Sequence, residues 1–329
     1  MARSPDIAFI AWTREDSRAR SLADAFDGEL CALFDLRIQG RLVPLRYLLS
    51  ALRTCAYLVR RRPRAVVVQA PPVPAAALVW VWARLARIPV AFDTHPATFE
   101  TTGIDRVMRP LIAWMVPRTA ACLVTTPGLG AQVERWGGRW LVVHEPPNDW
   151  SERMRARPCS PDQRLLFICT FAPDEPLMPV LEAARRLPEV EFQITGELFK
   201  IPEQARRTAP PNVRWVGYLR GADFVQALEN ADVVMSLSSR NDSVQRSAHE
   251  AVDALRPLVL SDTPHMHELF PYAVFVTNDA GSLAAGIADA FARCDELSAA
   301  ADAARTEQWR RWESQSAELR RITGVRSAD

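Results

Sequence analysis

The sequence predicts an α/β protein made of two similar parallel-sheet halves in tandem. Three observations predict this class. Short apolar runs rich in β-branched residues alternate with helical patterns along the whole chain. The length of 329 residues is long for one domain and sufficient for two. A polar, proline-rich segment at residues 151–163 interrupts the alternation, as an interdomain linker would.

The first half opens with an apolar run at 7–12, which we interpret as a strand rather than a signal peptide because it is short and ends in charged residues. A charge-free stretch at 65–83 contains Pro71, Pro72 and Pro74, so it predicts a strand, a turn and a helix start rather than a membrane span. The other predicted strands of this half are 65–69, 89–92, 122–125 and 140–144, with helices at 17–26, at 75–86 and before Gly137.

After the linker the alternation restarts, which predicts a second parallel sheet with its own helices. Its predicted strands are 165–170, 191–195, 213–216, 233–237, 258–261 and 274–276, and its helices are 179–187, 223–230, 243–254, 282–293 and 306–322.

Composition excludes several classes of protein. Hydrophobic residues make up 48% and charged residues 24%, which are globular values, and a net charge of +1 gives no field that would attract nucleic acid. No two of the six cysteines lie within four residues of each other, so the spacing predicts neither a zinc or redox motif nor a disulfide framework. We therefore expect a reducing, cytoplasmic compartment.

Charge is uneven along the chain, because residues 1–150 hold 19 arginines against 13 acids and residues 36–92 hold no acid at all. Arginine and large apolar residues are interleaved in that acid-free segment. Two interpretations stand side by side: a basic helix that lies on an anionic membrane surface, and a core helix with arginine on its wet side.

The most informative motif is an acid, seven residues and a second acid, which are Asp242 and Glu250, with Ala251 next. Pro257, an apolar strand and then Ser261 follow. This pattern resembles the acid-x7-acid region of the retaining glycosyltransferases of family 4, which have the GT-B fold. In detail the chain is most similar to bacterial members that build cell-envelope or exported glycans.

The resemblance extends over nearly the whole chain and implies two Rossmann-like domains facing a central cleft. It implies an acceptor-side domain at 1–150, a linker at 151–163, a nucleotide-sugar domain at 164–305 and a C-terminal helix at 306–329 that crosses back. The acceptor-side loop FDTHPATF carries Asp93 and His95.

The family's roles carry over to matching positions of this sequence. Glu250 is expected to accept hydrogen bonds from the ribose, Asp242 to lie beside the donor sugar, and His95 to lie near the sugar and the acceptor. A helix that begins at Ser243 would offer free N–H groups to the diphosphate. The further predicted donor-binding residues are Val244, Gln245, Arg240, Arg246, Gly196, Gly217 and Tyr218, and the acceptor-side residues are Asp93, Arg14 and Arg18.

The implied activity is transfer of a sugar from a nucleotide-diphosphate donor to a hydroxyl acceptor, with retention of configuration and without a metal or other cofactor. The acceptor is expected to be lipid-linked or an envelope glycan, and the protein to be cytoplasmic or peripheral on the inner face of the plasma membrane. The alternatives are a GT-B epimerase of nucleotide sugars and a non-catalytic homologue that binds them.

One departure from the family keeps these alternatives open. Many relatives carry Arg and Lys after the first strand of the second domain, where they neutralise the diphosphate, but here Asp174 and Glu175 stand in that stretch. The remaining candidates for the diphosphate are Arg240, Arg246, Arg14, Arg18 and the helix N-terminus.

Overall fold

The structure, a computed structural model, describes residues 5–13, 17–33, 43–99 and 103–325. The chain divides into two compact units, the first formed by Met1–Pro146 with Arg311–Asp329 and the second by Pro147–Arg310. Each unit is built on one six-stranded sheet in which all the neighbouring strands are parallel. The predicted α/β class with two Rossmann-like sheets is therefore confirmed.

The sheet of the first unit has the strand order β2-β1-β3-β4-β5-β6. Its strands are β1 (Ile7–Ala11), β2 (Glu29–Ala32), β3 (Ala65–Ala70), β4 (Val90–Thr94), β5 (Ala121–Val124) and β6 (Trp140–Val142). Its helices are α1 (Ser17–Ala25), α2 (Val43–Arg61), α3 (Val73–Ala86), α4 (Pro96–Phe99), α5 (Gly103–Met115) and α6 (Pro127–Arg135). Buried side chains of β1, β3, β4 and β5 form its core with α3.

The sequence patterns missed β2, the one-turn helix α4 and α5 in this unit. Strand β2 lies at the edge of the sheet and only Cys31 of its four residues is buried, so it lacks the apolar run that marks the inner strands. Helix α5 contains Pro110 in its interior, which normally argues against a helix.

The sheet of the second unit has the order β12-β11-β10-β7-β8-β9. Its strands are β7 (Arg164–Phe167), β8 (Glu191–Thr195), β9 (Val213–Gly217), β10 (Val233–Ser236), β11 (Leu258–Ser261) and β12 (Val274–Val276). Its helices are α7 (Leu177–Arg186), α8 (Glu203–Thr208), α9 (Gly221–Asn230), α10 (Arg246–Asp253), α11 (Pro264–Leu269) and α12 (Ala280–Ala292). A last helix, α13 (Cys294–Thr323), begins in this unit and ends in the first.

Two details correct the sequence analysis. Helix α10 begins at Arg246 and not at Ser243, because Gln245 has an extended backbone and residues 243–245 are irregular. The expectation of no disulfide is also wrong, since Cys159 and Cys294 are bonded to each other, and the cysteines therefore no longer support a reducing compartment. Their separation of 135 residues explains why local cysteine spacing gave no sign of the pair.

Among the helices of the described residues, none combines the length and apolar character that a bilayer crossing requires.

Candidate functional site

In open parallel sheets, ligands bind beyond the carboxyl ends of the strands, at the point where the strand order reverses. In the second unit that point lies between β7 and β10, because the chain proceeds from β7 through β8 to β9 on one side and from β10 to β12 on the other. The segment that follows β10 at this point, residues 237–245, carries Arg240 and Asp242. The acid-x7-acid motif therefore begins at the position where the topology itself predicts a ligand.

The segment 237–245 connects β10 to α10 without forming helix or strand beyond a turn. Arg240 and Asp242 are both partly exposed, and Nε of Arg240 lies 3.9 Å from Oδ1 of Asp242. At its two ends, the hydroxyls of Ser236 and Ser247 are 2.5 Å apart and tie the strand to the helix. Because α10 begins only at Arg246, Asp242 lies in a turn ahead of the helix. Ser243 and the two residues after it connect this turn to the helix.

Glu250 lies on α10 with only 9% of its surface exposed. Its Oε1 accepts a hydrogen bond of 2.7 Å from Nε of Arg246, one helical turn earlier. The pair places a carboxylate and a guanidinium side by side close to the start of the helix, where the free N–H groups carry a partial positive charge. This arrangement offers an acceptor for hydroxyl groups next to a donor for phosphate oxygens.

On the other side of β7, a glycine with a positive φ stands at the carboxyl end of β8 and another at that of β9. Gly196 has a φ of +125°, and a Cβ there would lie 2.5 Å from the ring of Phe171. Gly217 has a φ of +80° and ends β9. Tyr218 follows it, half exposed, with the guanidinium of Arg220 4.8 Å from its ring centre. The three predicted residues Gly196, Gly217 and Tyr218 thus lie at the same edge of the sheet as Arg240.

The two acids of the loop after β7, Glu175 and Asp174, are engaged within the protein. Both carboxylate oxygens of Glu175 accept from the N–H of Thr170, at 3.1 and 2.9 Å, and one also accepts from the N–H of Ala172 at 2.8 Å. Asp174 accepts from the hydroxyl of Ser238 at 2.7 Å. These bonds fold the loop after β7 back on itself and join it to the loop after β10.

In the first unit, Asp93 ends up buried at the carboxyl end of β4 beside Arg18 of α1. Nε of Arg18 lies 3.1 and 3.2 Å from the two oxygens of Asp93, and its Nη atoms donate to Glu145 at 3.3 Å and to the carbonyl of Val143 at 2.8 Å. Burial alone would raise the pKa of Asp93, but the charges of Arg18 and His95 outweigh it and hold that pKa at about 2. Burial likewise lowers the pKa of Arg18, and the two carboxylates more than offset it, so both groups stay charged.

His95 follows β4 directly, and its Nε2 lies 3.5 Å from Oδ2 of Asp93. The side-chain amide nitrogen of Gln69 is also 3.5 Å from that ring nitrogen. Gln69 and Asp93 are register partners on neighbouring strands, which explains the approach. Sequence reasoning missed Gln69, because a single glutamine at the end of a strand carries no motif.

Arg14, predicted on the acceptor side, lies outside the described residues. Sequence reasoning also missed a buried polar network on α10. Asp253 accepts from the N–H and the side-chain amide of Asn148, both at 2.8 Å, and from Gln308 at 2.6 Å. His249 Nδ1 lies 2.6 Å from the amide oxygen of the same Gln308. Burial raises the pKa of Asp253 to about 7, against the effect of the Asn148 hydrogen bonds.

No group of three His, Cys, Asp or Glu side chains in the part of the chain that the structure describes converges closely enough to hold a metal ion.

Two family models match the chain, one in each half. The glycosyl transferase 4-like domain matches residues 6–148, and the glycosyl transferases group 1 model matches residues 162–293. The chain belongs to the glycosyltransferases of GT-B fold. No protein of curated function matches this glycosyltransferase in sequence at a significant level.

Solved structures share the fold of this glycosyltransferase at low sequence identity. Anabaena HepE in complex with UDP and glucose is 14% identical, with a TM-score of 0.71 over 96% of this chain and 99% of that one. Sucrose-phosphate synthase from Thermosynechococcus elongatus is 14% identical, with a TM-score of 0.69 over 96% and 97%. A glycosyltransferase from Rickettsia africae is 11% identical, with a TM-score of 0.71 over 97% and 98%.

Proposed function

We propose that this glycosyltransferase moves a sugar from a nucleotide-diphosphate donor to a hydroxyl acceptor, with retention of configuration and without a metal ion. The observation that carries the proposal is the set of complementary groups at the strand-order reversal of the second unit. Arg240, Asp242 and the Arg246–Glu250 pair offer both cations and hydroxyl acceptors there. A relative with the same fold, HepE, has been solved with UDP and with UDP-glucose, so UDP is the first nucleotide to test.

Each polar group at this edge has a proposed role in donor binding. Glu250 accepts from the ribose hydroxyls, and Asp242 accepts from the sugar hydroxyls. Arg240, Arg246 and the N–H groups at the start of α10 stabilise the negative charge that grows on the diphosphate as the sugar leaves. The donor site ahead of α10 is lined by the backbone of Ser243, Val244 and Gln245. The nucleotide extends from there toward Gly196, Gly217 and Tyr218.

In the first unit, we assign the acceptor side to the end of β4. His95 contacts the sugar near the reacting carbon, and Asp93 orients its ring. The hydrogen bonds of Arg18 to Asp93, Glu145 and Val143 support a role in holding Asp93 ionised rather than a role in binding phosphate. The retention of configuration and the acceptor, a lipid-linked or envelope glycan, are carried by the resemblance described above.

Nucleotide-sugar turnover tests the proposal. The protein is incubated with a panel of nucleotide sugars that begins with UDP-glucose, with and without lipid-linked and glycan acceptors, and with EDTA. We expect acceptor-dependent release of nucleotide that EDTA leaves unchanged, and a product with the anomeric configuration of the donor. An epimerised donor would support the epimerase instead, and binding of nucleotide without any chemistry would support the non-catalytic homologue.

We further propose that the protein is cytoplasmic and lies on the inner face of the plasma membrane through the first unit. Within the predicted segment 36–92, residues 36–42 lie outside the described residues, and the rest forms α2, β3, α3 and most of β4. Large apolar side chains are exposed on α2, on the adjacent α3 and on α5: Leu45, Leu48, Leu52, Val59, Val81, Leu85, Val107, Leu111 and Trp114. Arg118 lies 4.4 Å over the Trp114 ring and Arg84 5.9 Å over Trp80, so cations accompany the apolar groups.

Vesicle flotation tests this surface. The protein should float with vesicles that contain anionic lipid and much less with neutral ones, and salt should weaken the association. The double variant Leu48→Ser, Leu52→Ser should reduce flotation. The control variant Leu198→Ser, Phe199→Ser changes an exposed apolar pair of the second unit and should not reduce it. Equal flotation with anionic and neutral vesicles would show that the basic segment is an ordinary solvent-exposed face of the fold and not a membrane-binding surface.

A further inference from the structure

A hydrogen-bond network centred on Ser238 joins the loops after β7, β10 and β12 to the end of β11, at the carboxyl edge of the second sheet. The Ser238 hydroxyl donates to Oδ2 of Asp174 at 2.7 Å, in the loop after β7. Its N–H donates to the hydroxyl of Ser261 at 3.0 Å, at the end of β11. Ser261 in turn donates to Oδ1 of Asn278 at 2.8 Å, after β12, and the Asn278 amide donates back to the carbonyl of Ser238 at 3.0 Å.

The network leaves no polar atom of Ser238 unused. Its hydroxyl oxygen also accepts from the N–H of Arg240 at 3.1 Å. The residue is 3% exposed, so a lost partner would not be replaced freely by water. The neighbouring N–H of Ser239 donates to the main-chain carbonyl of Asp174 at 2.7 Å. Asp174 thus holds the start of the loop after β10 through both its side chain and its backbone.

The position of this contact gives it a consequence for the donor site. Strands β7 and β10 are the neighbours between which the strand order reverses, so the Asp174–Ser238 bond spans the point where a ligand is expected. The loop that it holds carries Arg240 and Asp242. The Ser238 hydroxyl donates to the carboxylate of Asp174 and accepts from the N–H of Arg240. Two consecutive hydrogen bonds therefore connect Asp174 to the backbone of Arg240.

We propose that Asp174 is a positioning residue for the donor site, which acts through Ser238 to hold Arg240 and Asp242 in place. The acid that stands where relatives carry a phosphate-binding cation therefore acts as a tether of the opposite loop. This assignment rests on the proposed function for its effect on sugar transfer, whereas the tether itself is a property of the fold. Positioning of this kind sets rate because a small displacement of a charged group is costly in the transition state.

A different role for the same acid gives opposite expectations. If Asp174 acted by its charge, by repelling the donor diphosphate, then Asp174→Asn would strengthen UDP binding as much as Asp174→Ala. A tether needs only an oxygen that accepts from the Ser238 hydroxyl, and asparagine offers one. The asparagine variant should therefore resemble the wild type and the alanine variant should not.

The first experiment measures amide hydrogen exchange of residues 239–245, which requires neither a donor nor activity. Asp174→Ala should accelerate exchange there about tenfold, as expected when one net hydrogen bond is lost. Ser238→Ala should accelerate it at least as much, because it also removes the acceptor of the Arg240 N–H, and the double variant should add little to Ser238→Ala. Asp174→Asn should stay within about threefold of the wild type. The control is Asn212→Ala, which removes three hydrogen bonds at the opposite edge of the same sheet, to the carbonyls of Ala184, Leu187 and Val190. Unchanged exchange in Asp174→Ala overturns the tether.

The second experiment measures kcat and the KM for the donor in the same variants. We expect Asp174→Ala to lower kcat about tenfold with a smaller change in the donor KM, and Asp174→Asn to recover most of the rate. Asn212→Ala should lower the melting temperature without lowering kcat. Faster exchange with an unchanged kcat would overturn the positioning role. Failure of the wild type to turn over any nucleotide sugar would overturn the proposed function instead, and the exchange experiment would still decide the tether.

Discussion

Replacement of Glu250 by alanine tests the donor site most directly. Glu250 is 9% exposed and one of its carboxylate oxygens already accepts from Arg246, so a ribose hydroxyl would meet an acceptor that is fixed and largely shielded from water. Loss of such a partner leaves buried polar groups unpaired, at a cost of about 1–3 kcal/mol. The dissociation constant of UDP should therefore rise about 5- to 150-fold, since about 1.4 kcal/mol corresponds to a factor of ten.

Two further variants separate direct from indirect effects. Glu250→Gln keeps the shape and an acceptor oxygen but loses the charge, and charge-assisted hydrogen bonds are about twice as strong as neutral ones. We expect its affinity to lie between those of the wild type and Glu250→Ala. Arg246→Ala leaves Glu250 without its guanidinium partner, and should weaken UDP more than it weakens uridine, because the lost contact is with phosphate.

Calorimetric titration with UDP and uridine measures these affinities, and thermal unfolding reports on the fold. Glu182→Ala is the matched control, because Glu182 also pairs with an arginine of its own helix, Arg185 at 2.6 Å, but lies exposed on α7. It should leave both affinities unchanged. A folded Glu250→Ala protein that binds UDP as tightly as the wild type would remove Glu250 from the site and contradict the alignment of the motif with the family.

Three other predictions concern His95 with Asp242, the buried carboxylate of Asp93 and the buried carboxylate of Asp253. His95→Ala and Asp242→Ala should each lower kcat strongly while the affinity for UDP, measured by titration, stays close to that of the wild type; full activity of His95→Ala would make its loop purely structural. Asp93 has a folded pKa of about 2 against an ordinary 3.8, so it contributes about 2 kcal/mol of stability that is present above about pH 4 and lost as the pH falls toward 2. Denaturant unfolding at a series of pH values should show this loss in the wild type and not in Asp93→Asn. Burial raises the pKa of Asp253 to about 7, so the free energy of unfolding should fall by up to about 4 kcal/mol as the pH rises from about 4 to about 7. This decline should be absent from Asp253→Asn, and identical pH profiles of the two proteins would contradict the raised pKa.

Much of the fold could be predicted because inner parallel strands are continuous apolar runs, and their spacing by helices leaves few topologies. The strands around Val67, Phe92, Phe167 and Met235 were identified in this way, and all four side chains are buried. Edge strand β2 escaped because a half-exposed strand has no such run. The sequence analysis placed the start of α10 three residues early. Helix preferences of neighbouring residues do not reveal the bond between the Ser236 and Ser247 hydroxyls, which forms only in the folded protein.

The sequence by itself determined the two-sheet α/β class and the position of the acid-x7-acid motif, because both depend on patterns that are local along the chain. Only the tertiary structure decided the partners of the charged residues. Arg18 was a candidate for the diphosphate until the fold placed Asp93, 75 residues away, and Glu145, 127 residues away, against its guanidinium. Asp174 had no evident role in the sequence until β7 and β10 became neighbours and brought Ser238 within 2.7 Å of it. Hydrogen bonds and ion pairs of this kind form between segments that are distant in sequence, so no spacing along the chain encodes them.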